Sequence, residues 1–202
     1  TALFSDGTSA EGNLLIGADG AKSKVRRILC GQRAVPTPVA VRALGIRCYY
    51  PVEKVKKVQD IDPNIIHGGD PENNTYWWFS FLDMPRPGSG SPMAQCYITL
   101  NWPYENEFLG RGHPTDVPTT KEERLEFQRM LAEKWAEPMR EMVFDLPDDT
   151  EVHEIKLQEW TPEEDSWDNH SGTVTMIGDA AHAMTPCESQ LSTITARNIP
   201  QL

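Results

Sequence analysis

Thr173-Val-Thr-Met-Ile-Gly-Asp-Ala-Ala-His-Ala-Met-Thr-Pro186 carries a β-branched apolar run into Gly178-Asp179, then small residues, then a proline. The pattern predicts a buried strand that runs into a tight turn, with an acid held at its carboxyl end. In an open α/β sheet, ligands sit in the crevice outside the carboxyl ends of the strands. A carboxylate there can accept hydrogen bonds from the hydroxyls of a ribose or ribityl chain. Gly178 permits close backbone approach, and Ala180 and Ala181 keep the wall flat.

A second stretch, Asn13-Leu-Leu-Ile-Gly-Ala-Asp-Gly-Ala-Lys-Ser-Lys-Val-Arg-Arg27, has the same grammar. A short apolar strand meets Gly17-Ala18-Asp19-Gly20, and a basic helical turn follows with Lys22, Lys24, Arg26 and Arg27. Glycines at a strand-to-helix turn, followed by cations, suit a phosphate or pyrophosphate.

Taken together and in this order, the two stretches resemble the second and third fingerprints of the flavin-dependent aromatic hydroxylases. These are the class A flavoprotein monooxygenases of the para-hydroxybenzoate hydroxylase type. The resemblance implies an α/β fold: part of a FAD-binding, Rossmann-like domain of the glutathione-reductase type, with an inserted antiparallel-sheet substrate domain. It divides the chain into residues 1–35 (FAD-binding), 36–172 (mainly the substrate sheet and helices), 173–190 (return to the FAD domain) and a divergent tail, 191–202. It further implies FAD as cofactor and NAD(P)H as co-substrate. Asp19, Gly20, Arg26, Gly178, Asp179, Ala180 and Pro186 are then the expected cofactor-binding residues. Asp179 would hold the ribityl chain, Arg26 would secure its turn through an ion pair, and Pro186 would lie beside the ring.

Family members also open with a strand, a G-x-G-x-x-G turn and a helix, and continue after the proline into a glycine-rich turn. This chain has no G-x-G-x-x-G; Gly88-Ser89-Gly90 comes nearest, between Pro87 and Pro92, and reads as a loop. No glycine follows Gly178. The expectation is therefore an internal or truncated fragment that binds FAD weakly or not at all by itself. Alternatives to hydroxylation of an aromatic or polyketide-like small molecule are a catalytically inactive remnant, or a related flavin-dependent halogenase, epoxidase or reductase.

Composition narrows the partners. Nineteen Lys and Arg against thirty Asp and Glu give a formal charge of -11, which repels nucleic-acid backbones. Four scattered cysteines without a C-x-x-C pair fit buried thiols in a reducing, cytoplasmic setting. Five histidines show no metal-ligand spacing, and no apolar run reaches membrane-spanning length. His182 is expected to pack or hydrogen-bond within its motif. No nucleophile or general base is suggested, so no catalytic residue is named.

Between the motifs, Val39 to Tyr50, Tyr76 to Phe81 and Gln95 to Trp102 read as strands. Alternation places Tyr76, Trp78 and Ser80 on one face and Trp77, Phe79 and Phe81 on the other. One face would pack on helices. The other could wall an aromatic substrate, making Tyr76 and Trp78 candidate substrate contacts; the alternative is that both faces are core, since aromatics fill sheets with or without a ligand. Thr120-Lys-Glu-Glu123 predicts a capped helix, Pro138 starts another that reaches Phe144, and Val152 to Trp160 reads as a returning strand.

Overall fold

The computed structural model describes residues 1–86, 92–163 and 167–185. Gly88-Ser89-Gly90, Pro186, Cys187 and the tail 191–202 lie outside the described residues. The chain divides into two compact units, Thr1–Val39 with Gln158–Leu202, and Ala40–Leu157.

In the first unit, β1 (Ala2–Leu3) and β2 (Ser9–Ala10) form a small hairpin. Asp6 accepts from the Thr8 amide at 2.9 Å across its turn. β3 (Leu15–Gly17) leads into α1 (Lys24–Cys30), and β4 (Thr37–Pro38) follows. Late in the chain, β10 (Gln158–Glu159) pairs antiparallel with β4, and β11 (Val174–Met176) pairs parallel with β3. The small core of this unit is Cys30, Ala34, Trp160, Met176, Ala180 and Ala183.

The second unit is a five-stranded antiparallel sheet in the order β6-β7-β8-β5-β9. Its strands are β5 (Val41–Pro51), β6 (Ile65–Asp70), β7 (Thr75–Asp83), β8 (Met93–Pro103) and β9 (Val152–Ile155). Its helices are α2 (Val52–Gln59), α3 (Lys121–Ala132) and α4 (Met139–Phe144). The Thr120 hydroxyl caps α3 through the Glu123 amide at 3.2 Å, and Glu123 reaches back to the Thr120 amide at 3.1 Å. This reciprocal box satisfies two otherwise orphaned N–H groups.

Alternation along β7 sorts its side chains as the pleat requires. Trp77 and Phe79 are buried with Ile98, Leu100, Leu125, Met142 and Val143 in the main core. Trp77 packs on Trp135, just past α3, with ring centroids 5.2 Å apart. Tyr76, Trp78 and Ser80 point to the other face and are only half-buried. Cys48 and Cys96 sit opposite each other in that core, and burial pushes both thiols up to about 12.

Two readings of the sequence need correction. The strand expected from Val152 to Trp160 is two strands in different units, because β9 pairs with β5 whereas β10 pairs with β4. Residues 158–172, expected with the inserted sheet, therefore belong with the first unit. Trp160 fixes this: its amide donates to Ala183 O at 2.8 Å and its indole Nε1 to Arg33 O at 2.7 Å. Also, α2 and β6 had no counterpart in the reading. α2 is short, with Val52, Val55 and Val58 at helical spacing, and β6 carries Gly68-Gly69, which weakens its strand signal.

Candidate functional site

The two motif strands are adjacent and parallel. Leu15, Ile16 and Gly17 face Val174, Thr175 and Met176, and the Ile177 amide donates to Gly17 O at 2.9 Å. The turns that follow, Gly17 to Gly20 and Ile177 to Ala180, thus leave the sheet side by side at its carboxyl end. Gly17 is needed there, since a Cβ would lie 2.7 Å from Val25 Cγ1 and 3.1 Å from Met176 Cγ. Its absence lets α1 settle directly on the strand.

Asp19 is exposed, but its carboxylate is engaged within its own chain. Its carboxylate accepts from the Ser23 hydroxyl at 2.5 Å and from the amides of Lys24 and Val25 at 2.6 and 3.2 Å. Partial burial opposes its ionisation, but the Ser23 hydroxyl and the two amides outweigh that and hold the carboxyl below its ordinary range. Ser23, fully buried, caps the same helix by accepting from the Arg26 amide at 2.9 Å. The first turn of α1, expected to suit a phosphate, is already occupied by an acid of its own chain. Gly20, at φ 76°, makes the left-handed bend that delivers the chain to Ser23.

Arg26 is buried and stitches the two motifs together. Its Nη1 donates to Asp179 O at 3.0 Å and Ala180 O at 3.3 Å, and its Nη2 donates to Ala21 O. The guanidinium stacks over Trp160, 4.8 Å from the ring centroid. The ion pair expected of it is replaced by carbonyl hydrogen bonds. Arg suits this role better than Lys because its planar fork serves several acceptors while its face rests on an aromatic ring.

Gly178 adopts φ 58°, where a side chain would be strained. Its carbonyl accepts from the amides of Ala181 and His182, both at 2.9 Å. Ala180 is fully buried. The Asp179 side chain, in contrast, is exposed and has no hydrogen-bond partner among the described residues. Its backbone carbonyl is held by Arg26 Nη1. His182 Nε2 lies 3.4 Å from the Thr161 hydroxyl. Pro186 is outside the described residues.

On the half-buried face of the sheet, Tyr76 stands opposite Asn101 and Trp78 opposite Thr99. The His67 ring lies 5.8 Å from that of Tyr76. Further along this face, Tyr97 Oη and His153 Nε2 are 2.9 Å apart. Sequence reading missed Ser23, Trp160, Tyr97 and His153. Gly45, a glycine inside the long β5, was the one available signal for the last two, since it marks close approach by something else.

Among the described residues, no group of three or more His, Cys, Asp or Glu side chains could hold a metal ion. None of their helices is long and apolar enough to cross a membrane.

Two motif turns at the carboxyl end of parallel strands in one unit, and an antiparallel sheet in the other, make this a mixed α/β protein. No protein-family model matches the chain. Individual relatives do. It is 41% identical over 185 residues to the FAD-dependent monooxygenase tazP of Aspergillus terreus, covering 91% of this chain and 46% of that protein. It is 37% identical over 190 residues to the FAD-dependent monooxygenase dbaB of Emericella nidulans, covering 92% and 46%. In fold it matches PqsL of Pseudomonas aeruginosa in complex with 2-aminobenzoylacetate, with a TM-score of 0.61 at 17% identity over 95% of this chain and 44% of that one. Over about nine-tenths of its length the chain is homologous to curated FAD-dependent monooxygenases. It spans about half the length of the curated relatives it matches.

Proposed function

We propose that this chain is part of a FAD-dependent monooxygenase that hydroxylates an aromatic or polyketide-like small molecule with NAD(P)H and O2. In this reading the first unit belongs to a Rossmann-like FAD domain, and the second is the substrate platform. The observation that carries it is the parallel pairing of β3 with β11, which sets both fingerprint turns at one sheet edge and leaves the Asp179 carboxylate exposed there.

Asp179 is the residue suited to accept hydroxyls of the ribityl chain. Arg26 and Asp19 act behind it: Arg26 fixes the carbonyls of Asp179 and Ala180, and Asp19 holds the start of α1. Gly178 supplies the bend that presents Asp179. FAD, when bound, supplies the redox chemistry and oxygen activation, while the protein supplies binding, orientation and exclusion of water. Tyr76 and Trp78 offer an aromatic surface for a planar substrate.

The test is the flavin affinity of the full protein translated from the gene carrying this sequence, wild type against Asp179→Ala. A hydrogen bond to a charged group contributes about 1.5–3 kcal/mol, so FAD should bind roughly 10- to 100-fold more weakly. Asp179 is exposed, so the melting temperature of the apoprotein should not move. Unchanged FAD affinity in the variant would remove Asp179 from the site.

A further inference from the structure

Within the first unit, one aromatic ring stands behind the contact that joins the two motif turns. The Arg26 guanidinium is 2% exposed and donates to the carbonyls of Ala21, Asp179 and Ala180, while its Nε has no partner among the described residues. Burial holds this cation below its ordinary pKa, and the charges of Asp19 and Asp179 offset only part of that. Trp160, itself 5% exposed, lays its ring 4.8 Å from Arg26 Cζ. Trp is the best aromatic partner for a cation, and the attraction is strongest where both groups are out of water. The ring thus compensates a buried charge at the place where the carbonyls alone leave it under-solvated.

Trp160 is itself held firmly. Its indole Nε1 donates to Arg33 O at 2.7 Å and its amide to Ala183 O at 2.8 Å, directly after the pairing of β10 with β4. The chain from Gly178 to Ala183 is therefore fixed twice. Arg26 holds it at Asp179 and Ala180, and Trp160 holds it at Ala183. Between these anchors, Gly178 O accepts from the Ala181 and His182 amides, both at 2.9 Å. The exposed Asp179 carboxylate has no hydrogen bond among the described residues, so its position follows from this backbone.

We infer that Trp160 is a positioning residue for the cofactor: its ring keeps Arg26 against the Asp179 and Ala180 carbonyls and so sets how the Asp179 carboxylate is presented. This rests on the reading of Asp179 as a flavin-binding residue. Trp160 acts through Arg26 and is not assigned a contact with FAD.

The test is a double-mutant cycle on the FAD affinity of the full protein, with Trp160→Leu, Trp160→Phe, Asp179→Ala and the Leu/Ala double variant. Trp160→Leu should weaken FAD binding by about tenfold, through loss of a desolvated cation–ring contact. Trp160→Phe keeps a ring over Arg26 and should stay within about threefold of wild type. In the Asp179→Ala background, Trp160→Leu should change affinity by less than about twofold, because coupled residues do not add. A full tenfold loss in both backgrounds, no loss with Leu, or a Phe variant as weak as Leu would overturn the inference. Circular dichroism checks folding, and Trp160→Met, closer in volume and equally without a ring, replaces a Leu variant that fails it.

Unchanged affinity in Asp179→Ala would fault the flavin reading itself, and amide exchange in the FAD-free protein then decides for Trp160. The Ala181 and His182 amides should exchange about tenfold faster in Trp160→Leu relative to the Leu15 amide, which donates to Thr173 O in the same unit. Equal acceleration of all three would mean that Trp160 only supports the fold of the unit.

Discussion

At the scale of single residues, Asp19 and Asp179 begin from similar sequence contexts, each an acid in a glycine turn after an apolar strand. They end in opposite situations. Both are exposed, but Asp19 spends its carboxylate on Ser23, Lys24 and Val25, while Asp179 has its backbone pinned and its carboxylate without a hydrogen bond among the described residues. Loss of the Asp19 carboxylate should therefore act on stability. Asp19→Ala should cost about 1 kcal/mol at neutral pH, the usual effect of losing a helix cap. The sign of its pH dependence follows from the direction of the shift. A carboxyl held below its unfolded value stabilises the fold fully above that value, about pH 4, and loses the contribution as pH falls through the folded value. Urea midpoints of wild type and variant should differ at pH 7 and converge near pH 3. A gap that persists in acid would mean that the carboxylate charge plays no part.

At the scale of elements, the site depends on α1 lying close against β3 and β11. Gly17 is the contact that permits it, with Val25 Cγ1 and Cβ standing 2.7 and 2.9 Å from where a Cβ would be. Both are parts of a branched side chain near the backbone, so little can rotate away. Gly17→Ala should push α1 off the strand and destabilise the first unit by roughly 1–3 kcal/mol, as overpacking does. An alanine variant with wild-type stability would show that the helix moves freely and that the close approach has no energetic role. The same glycine logic recurs at Gly45, where the space is taken by side chains instead of a helix.

At the scale of the whole molecule, the two units differ in how much they bury. The sheet unit encloses a core from Leu44 to Val152, with Trp102, Phe79, Ile98 and Leu100 almost wholly removed from water. Among the described residues, the first unit clusters six buried apolar side chains and leaves Leu3, Phe4, Leu14, Ile16, Ile28 and Ile177 exposed. Burial of apolar surface is the main stabilising contribution, so the first unit should open at lower cost. In native-state hydrogen exchange, amides of β3 and β11 should exchange more than about tenfold faster than those at the centre of β8. Equal protection would mean that the two units unfold as one.

Sequence alone determined the parts governed by local rules. The capping box before α3, the alternation along β7 and the two strand-Gly-Asp turns are short-range patterns, and each lies where its residues imply. The family follows from the same two turns, because close backbone approach and an acid at a strand end need particular residues at fixed spacing. Tertiary structure decided which partner each group meets. Arg26 finds the carbonyls of Asp179 and Ala180 far along the chain, and Tyr97 meets His153 across an intervening strand. Trp160 draws residues 158–172 into the first unit. No local pattern encodes these encounters, because hydrogen-bond and stacking partners are set by the packing of distant segments, whereas propensity and periodicity report only on neighbours.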